Sequence, residues 1–145
     1  MRTNVGLVDI PCIPTVWEEV SQLIEQNHAG WLDMVDLKEV YESLMMDKLD
    51  LWIGHDKWEV FIAMICGWER HAKASFYHIM WLGGRDFRPA MKAGMEKVER
   101  YACMQGAKEI RFGGREGWEK LLKPLGYVMA PHIEMRKNVA ICWRN

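Results

Sequence analysis

Apolar positions along the chain switch between a period near 3.6 and a period of 2, and the switches set out the elements. Val5 to Ile10 reads as a short strand, broken by Pro11 and Pro14. Val16, Val20, Leu23 and Ile24 then recur at helical spacing and predict a helix from about Thr15 to Asn27, with Gly30 as its stop. Leu37, Val40, Tyr41 and Leu44 share one face of a second helix, about Asp36 to Lys48, with Asp36 as its cap. Three strands follow, Leu49 to Gly54, Trp58 to Trp68 and Ser75 to Leu82. The polar breaks between them, Gly54 to Lys57 and Glu69 to Lys73, are short enough to predict antiparallel hairpins. In the third strand, alternation sends Phe76, His78, Met80 and Leu82 one way and Tyr77, Ile79 and Trp81 the other. Both sets are largely apolar, so this strand is expected at the centre of a sheet covered on both faces.

A long helix from about Pro89 to Met104 buries Met91, Met95, Val98 and Ala102, and Gly106 closes it. Lys108 to Phe112 reads as a strand reached by a parallel crossover. Gly117 to Leu125 reads as a short helix, and Tyr127 to Arg136 as a last strand bent or exposed at Pro131. The expected architecture is α/β: one domain over residues 1–145, a mixed and mostly antiparallel sheet flanked by helices, in the order βααβββαβαβ.

At 145 residues, half of them hydrophobic, the chain can bury a core without staples and is neither disordered nor collagen-like. The longest apolar run is Val60 to Cys66, far short of a membrane helix, and the first residues lack a signal pattern, so a cytoplasmic protein is expected. Cys12, Cys66, Cys103 and Cys142 are dispersed, without CxxC or histidine at ligand spacing, so neither a metal site nor a disulfide framework is expected. Walker, HExxH and GxSxG motifs are absent.

Charge changes the picture. Residues 1–69 hold 4 Lys and Arg against 13 Asp and Glu, a net −9, whereas residues 70–145 hold 15 against 7, a net +8. The folded surface is therefore expected to be dipolar, suited on its basic side to an anionic ligand, or to self-association or a protein partner through opposite charges. A nucleic-acid surface is disfavoured, since no aromatic-interleaved basic stripe occurs. Gly83-Gly84 and Gly113-Gly114 each precede an arginine, at the carboxyl ends of two strands expected to be parallel neighbours, where ligands bind in open sheets. Arg85, Arg88 and Arg115 are thus candidate anion ligands, with solvated turn arginines as the alternative.

The element order, together with the segment Gly114-Arg115-Glu116-Gly117-Trp118-Glu119-Lys120-Leu121-Leu122-Lys123-Pro124-Leu125-Gly126-Tyr127, resembles the GNAT superfamily of N-acetyltransferases over nearly the whole chain. Gly-Arg-x-Gly-Trp, with Gly83-Gly84-Arg85-Asp86, is similar to small GNAT-like proteins of bacteriophages and prophages, which would place the chain in a host cytoplasm or a virion. The resemblance implies acetyl-CoA as cofactor and an amine as second substrate. It places the cofactor against the strand backbone at Trp81, Leu82, Gly83 and Gly84, with Arg85, Arg88 and Arg115 near its phosphates.

Two positions depart from the family pattern. Arg85-Asp86-Phe87-Arg88-Pro89-Ala90 stands where the family has Arg/Gln-x-x-Gly-x-Gly/Ala, so Arg88 crowds the phosphate turn and Pro89 removes an N–H. Leu122 stands where the family places a tyrosine that protonates the departing thiolate, and Tyr127 belongs to the Leu-Gly-Tyr packing position, a weak substitute acid. A family-type base is expected among Glu69, His71 and His78, against which stand a turn location for the first two and a satisfied core histidine for the third. The expectation is an acetyltransferase-like protein with transfer impaired or lost. The alternatives are an active acetyl-CoA-dependent N-acyltransferase on a small or protein amine, and a non-catalytic virion-associated or protein-binding component.

Overall fold

In a computed structural model, residues 4–27, 31–57, 59–85, 88–113, 122–130 and 134–139 are described. Seven strands form one sheet: β1 (Asn4–Leu7), β2 (Leu49–His55), β3 (Val60–Arg70), β4 (Ser75–Gly84), β5 (Ala107–Gly113), β6 (Val128–Ala130) and β7 (Glu134–Asn138). Their order is β1-β2-β3-β4-β5-β7-β6, with β4 at the centre as its two apolar faces predict. All pairs are antiparallel except β4 with β5.

Helices α1 (Ile13–Asn27) and α2 (Leu37–Met45) cover one face. Ile13, Val20, Leu23, Ile24, Val40 and Leu44 are buried there against Leu51, Ile53, Ala63, Ile65 and Trp81. Asp36 caps α2 as its sequence position predicts, accepting a hydrogen bond from the Lys38 N–H at 2.9 Å. Helix α3 (Arg88–Met104) covers the other face, where Met91, Met95, Val98 and Ala102 pack on Tyr77, Ile79, Ile110 and Phe112. α3 reaches as far as β1, where a Cβ on Gly94 would stand 3.2 Å from Val5 and the Lys97 ammonium donates to the Val5 carbonyl at 3.1 Å.

Three sequence expectations need correcting. β4 does not alternate cleanly: its register with β3 passes from Ile65↔Trp81 to Cys66↔Ile79, leaving Met80 as an extra residue. Such a bulge flips the strand's facing, so Tyr77, Ile79 and Leu82 lie on the α3 face and Trp81 on the α1–α2 face. Glu69 lies inside β3, opposite Phe76, rather than in the hairpin turn, because pairing continues to Arg70↔Ser75. The single bent strand expected at Tyr127 to Arg136 is two strands, and β7 enters the sheet between β5 and β6. Of the helix expected at Gly117 to Leu125, only Leu122 onward is described, and there the chain forms a 3-10 turn over Lys123–Leu125, closed by Gly126 at φ 93°.

Gly84 is a position where only glycine fits. Its φ is 152°, and a Cβ would run into the Phe61 carbonyl oxygen and stand 2.7 Å from Ile62 Cα. Gly84→Ala is expected to cost about 2 kcal/mol or more, read as a fall in the urea midpoint.

Candidate active site

The site begins where two parallel strands part. Pairing of β4 with β5 runs from Ser75↔Ala107 to Ile79↔Phe112 and ends there, while β4 continues to Gly84, held on its other edge by β3. The Met80 bulge sits at the point of separation. Beyond it, the β5-facing edge of β4 presents backbone donors and acceptors without a β5 partner, at the carboxyl ends of both strands.

Trp81, Leu82, Gly83 and Gly84 all lie on this open stretch, and the Trp81 and Leu82 side chains turn into the two cores. Leu82 is in the α3-face core. Trp81 stacks on Trp31 with ring centroids 6.1 Å apart and donates its indole N–H to the Asn27 carbonyl at 3.3 Å. A Cβ on Gly83 would stand 2.5 Å from the Trp81 ring, so the indole needs a bare backbone there. The strand therefore offers its backbone at the fork.

The arginines divide. Arg85 donates its backbone N–H to the Phe61 carbonyl at 2.7 Å, and its guanidinium meets Glu59 at 3.0 Å, an exposed pair that an anion would have to share. Arg88 opens α3 and is exposed. In the first turn of that helix the N–H groups of Arg88 and Ala90 have no partner within the helix, and Pro89 has none to give. Arg115 lies outside the described residues, as does the Gly-Arg-x-Gly-Trp motif.

Glu69 and His78 come together on the α1–α2 face at the base of the fork. Glu69 Oε1 stands 3.6 Å from His78 Nδ1, and its Oε2 stands 3.6 Å from both His71 Nε2 and Arg111 Nη1. His78 Nε2 lies beside Gly113, the last residue of β5, where a Cβ would stand 3.1 Å from it. A side chain at that position would crowd Nε2. Arg111 was not anticipated from the sequence, although Glu109 and Arg111, two apart on one strand, share a face.

Tyr127 is not part of this group. Its ring is buried on the opposite face, and its hydroxyl donates to Glu99 Oε2 at 3.0 Å. Lys137 holds the other Glu99 oxygen at 2.9 Å. Leu122, at the family's acid position, is fully buried in the same core. Glu99, on the apolar face of α3 four residues after Met95, is the buried charge that the sequence pattern did not single out.

A second polar group crosses the core. The Tyr77 hydroxyl donates to Asp50 Oδ2 at 2.6 Å and accepts from the Trp52 indole at 2.9 Å. Asp50 lines an open cleft of about 450 Å³ between the segment after β1 and the start of β2. Burial pushes its carboxyl above the ordinary 3.8, more than the Tyr77 bond lowers it. Because the folded form holds that proton more tightly than the unfolded chain, its contribution to stability is present below pH 4 and is lost as pH rises through the folded value. Asp50→Asn is therefore expected to gain stability relative to the parent on going from pH 4 to pH 7, measured by urea melts at both. Among the described residues no three His, Cys, Asp or Glu side chains are placed to hold a metal, and no helix is long and apolar enough to cross a membrane.

No family profile and no curated protein matches the sequence. Solved structures do match the fold. Aminoglycoside 6'-acetyltransferase type Ii superposes with a TM-score of 0.73 at 14% identity, covering 94% of this chain and 97% of its own. The fold is that of the GNAT acetyltransferases. An N-acetyltransferase from Staphylococcus aureus Mu50 gives 0.72 at 7% identity, over 97% and 99% of the two chains. A Desulfovibrio desulfuricans protein assigned to the GNAT family gives 0.62 at 11% identity, over 95% and 99%. The GNAT architecture expected from element order is present from β1 to β7.

Proposed function

We propose that this GNAT-fold chain binds an acyl-CoA, acetyl-CoA first among them, along the open edge of β4 and transfers the acyl group to an amine. The observation that carries the reading is the coincidence at the fork: β4 loses β5 at Ile79↔Phe112, and the Glu69–His78 pair lies at that same level. The donor set fits such a ligand in part. The backbone of Met80–Gly84 would take its amide-bearing arm, and the first turn of α3 with Arg88 its phosphates, with one N–H fewer than usual because of Pro89. Arg85 would contribute only by sharing Glu59.

Acetyl-CoA supplies a thioester carbonyl that an amine can attack. The amine enters as its ammonium form and first loses a proton to the Glu69–His78 pair. On transfer the amine nitrogen would bond to the carbonyl carbon as the carbon–sulfur bond breaks, and its second proton would pass to solvent water. The thiolate is protonated by water, since Leu122 has no proton to give. Slow transfer is thus expected, and loss is not required.

A second reading, a binding protein without transfer, is favoured by the burial of Leu122 and by Arg88-Pro89 in the phosphate turn. A phage origin, and with it a virion or host-cytoplasm location, rests on the Gly-Arg-x-Gly-Trp and Gly-Gly-Arg-Asp motifs. Thiol release from acetyl-CoA across a panel of small and peptide amines separates the two: release that depends on the amine supports transfer, and none with any amine supports the binding protein.

A further inference from the structure

We propose that Arg111 is the positioning residue of this site: it fixes the Glu69 carboxylate against His78 Nδ1, so that Glu69 orients the imidazole and His78 Nε2 takes the proton. The inference rests on the N-acyltransferase reading and names its proton acceptor.

Glu69 on β3, Phe76 and His78 on β4, and Glu109 and Arg111 on β5 form one patch, and His78 and Arg111 are register partners. The Arg111 guanidinium lies 3.7 Å from the centroid of the Phe76 ring, a cation on a π face. Its Nε donates to Glu109 Oε1 at 2.9 Å. With plane and edge both fixed, Nη1 is left facing Glu69 Oε2 at 3.6 Å. A glutamate side chain that is 40% exposed would otherwise sample several rotamers; here one oxygen is drawn to Arg111 and the other is turned to His78. His71, from the turn after β3, faces the same Oε2 and adds a second weak tie.

A carboxylate only accepts, so a hydrogen bond that closes this 3.6 Å gap needs the hydrogen on His78 Nδ1. Neutral His78 then has its lone pair on Nε2, beside Gly113 and the fork. This is the proton distribution that a base needs, and it runs opposite to the intrinsic preference of imidazole for a hydrogen on Nε2. Contacts of this kind tighten when substrate arrives.

The test is the 15N imidazole spectrum of His78 at pH 8, assigned by its loss in His78→Gln, in the parent protein, Arg111→Met and Arg111→Lys. The expected result is an Nδ1–H form in the parent, a shift toward the Nε2–H form in Arg111→Met, and partial recovery in Arg111→Lys. In turnover, Arg111→Met is expected to lose about a hundredfold in kcat at unchanged KM for acetyl-CoA. Arg70→Met removes a stacked cation from over Trp68 and serves as the control that keeps both. An Nε2–H form in the parent, or the same spectrum in parent and Arg111→Met, overturns the assignment. Absence of transfer in the parent overturns the N-acyltransferase reading instead, and the spectra still decide the role of Arg111.

Discussion

Replacing Lys137 by methionine is expected to destabilise the protein by about 3 kcal/mol, the lower end of the range for stranding a buried charge. Glu99 is 1% exposed, and its carboxylate is held by the Tyr127 hydroxyl at 3.0 Å and the Lys137 ammonium at 2.9 Å. The same ammonium donates to the Leu125 carbonyl at 2.7 Å and its stem lies against Gly126, so it fastens the Leu-Gly-Tyr turn to α3. Removing it takes the ammonium from a buried carboxylate and from the Leu125 carbonyl in the turn. A melting temperature lower by about 10 °C corresponds to that loss in a chain of this size. Adding Glu99→Gln removes the stranded charge, so the double variant is expected to regain more than half of the deficit. A single variant as stable as the parent would mean that the carboxylate needs no cation.

His78→Gln is expected to lower kcat for acyl transfer by about 10² to 10³, the usual contribution of a positioned base, with KM for acetyl-CoA unchanged. The split follows from position. His78 stands at the base of the fork with Nε2 beside Gly113, and the backbone edge that would take the cofactor lies beyond it, from Met80 to Gly84. Steady-state kinetics on the most reactive amine measure both constants. A rise in KM with kcat unchanged would assign His78 to binding.

The helix faces, the Asp36 cap and the parallel pairing of β4 with β5 were legible because each depends on local pattern and on short connections. The Met80 bulge was not. A bulge keeps apolar composition on both faces, so alternation alone put Trp81 beside Ile79 and the fold puts them on opposite sides. Glu69 read as a turn residue because it opens the polar run Glu69 to Lys73, yet the hairpin closes later, at Arg70↔Ser75. The pairing of Arg85 with Glu59 was not legible, because the two are 26 residues apart in sequence and meet only across the β3–β4 pair. The break at Pro131 was visible and the antiparallel pairing of β7 with β5 and β6 was not, because long-range pairing decides it. Of the candidate site, Glu69 and His78 converge, Tyr127 is held elsewhere, and Arg115 lies outside the described residues.

The most direct measurement is a calorimetric titration of the protein with acetyl-CoA, with Arg88→Ala alongside. The account predicts one site per chain in the micromolar range, weakened by added salt and weakened further in Arg88→Ala, because the phosphates would lie on the first turn of α3. No heat at millimolar acetyl-CoA would contradict it, and would leave the GNAT fold serving a partner other than an acyl-CoA.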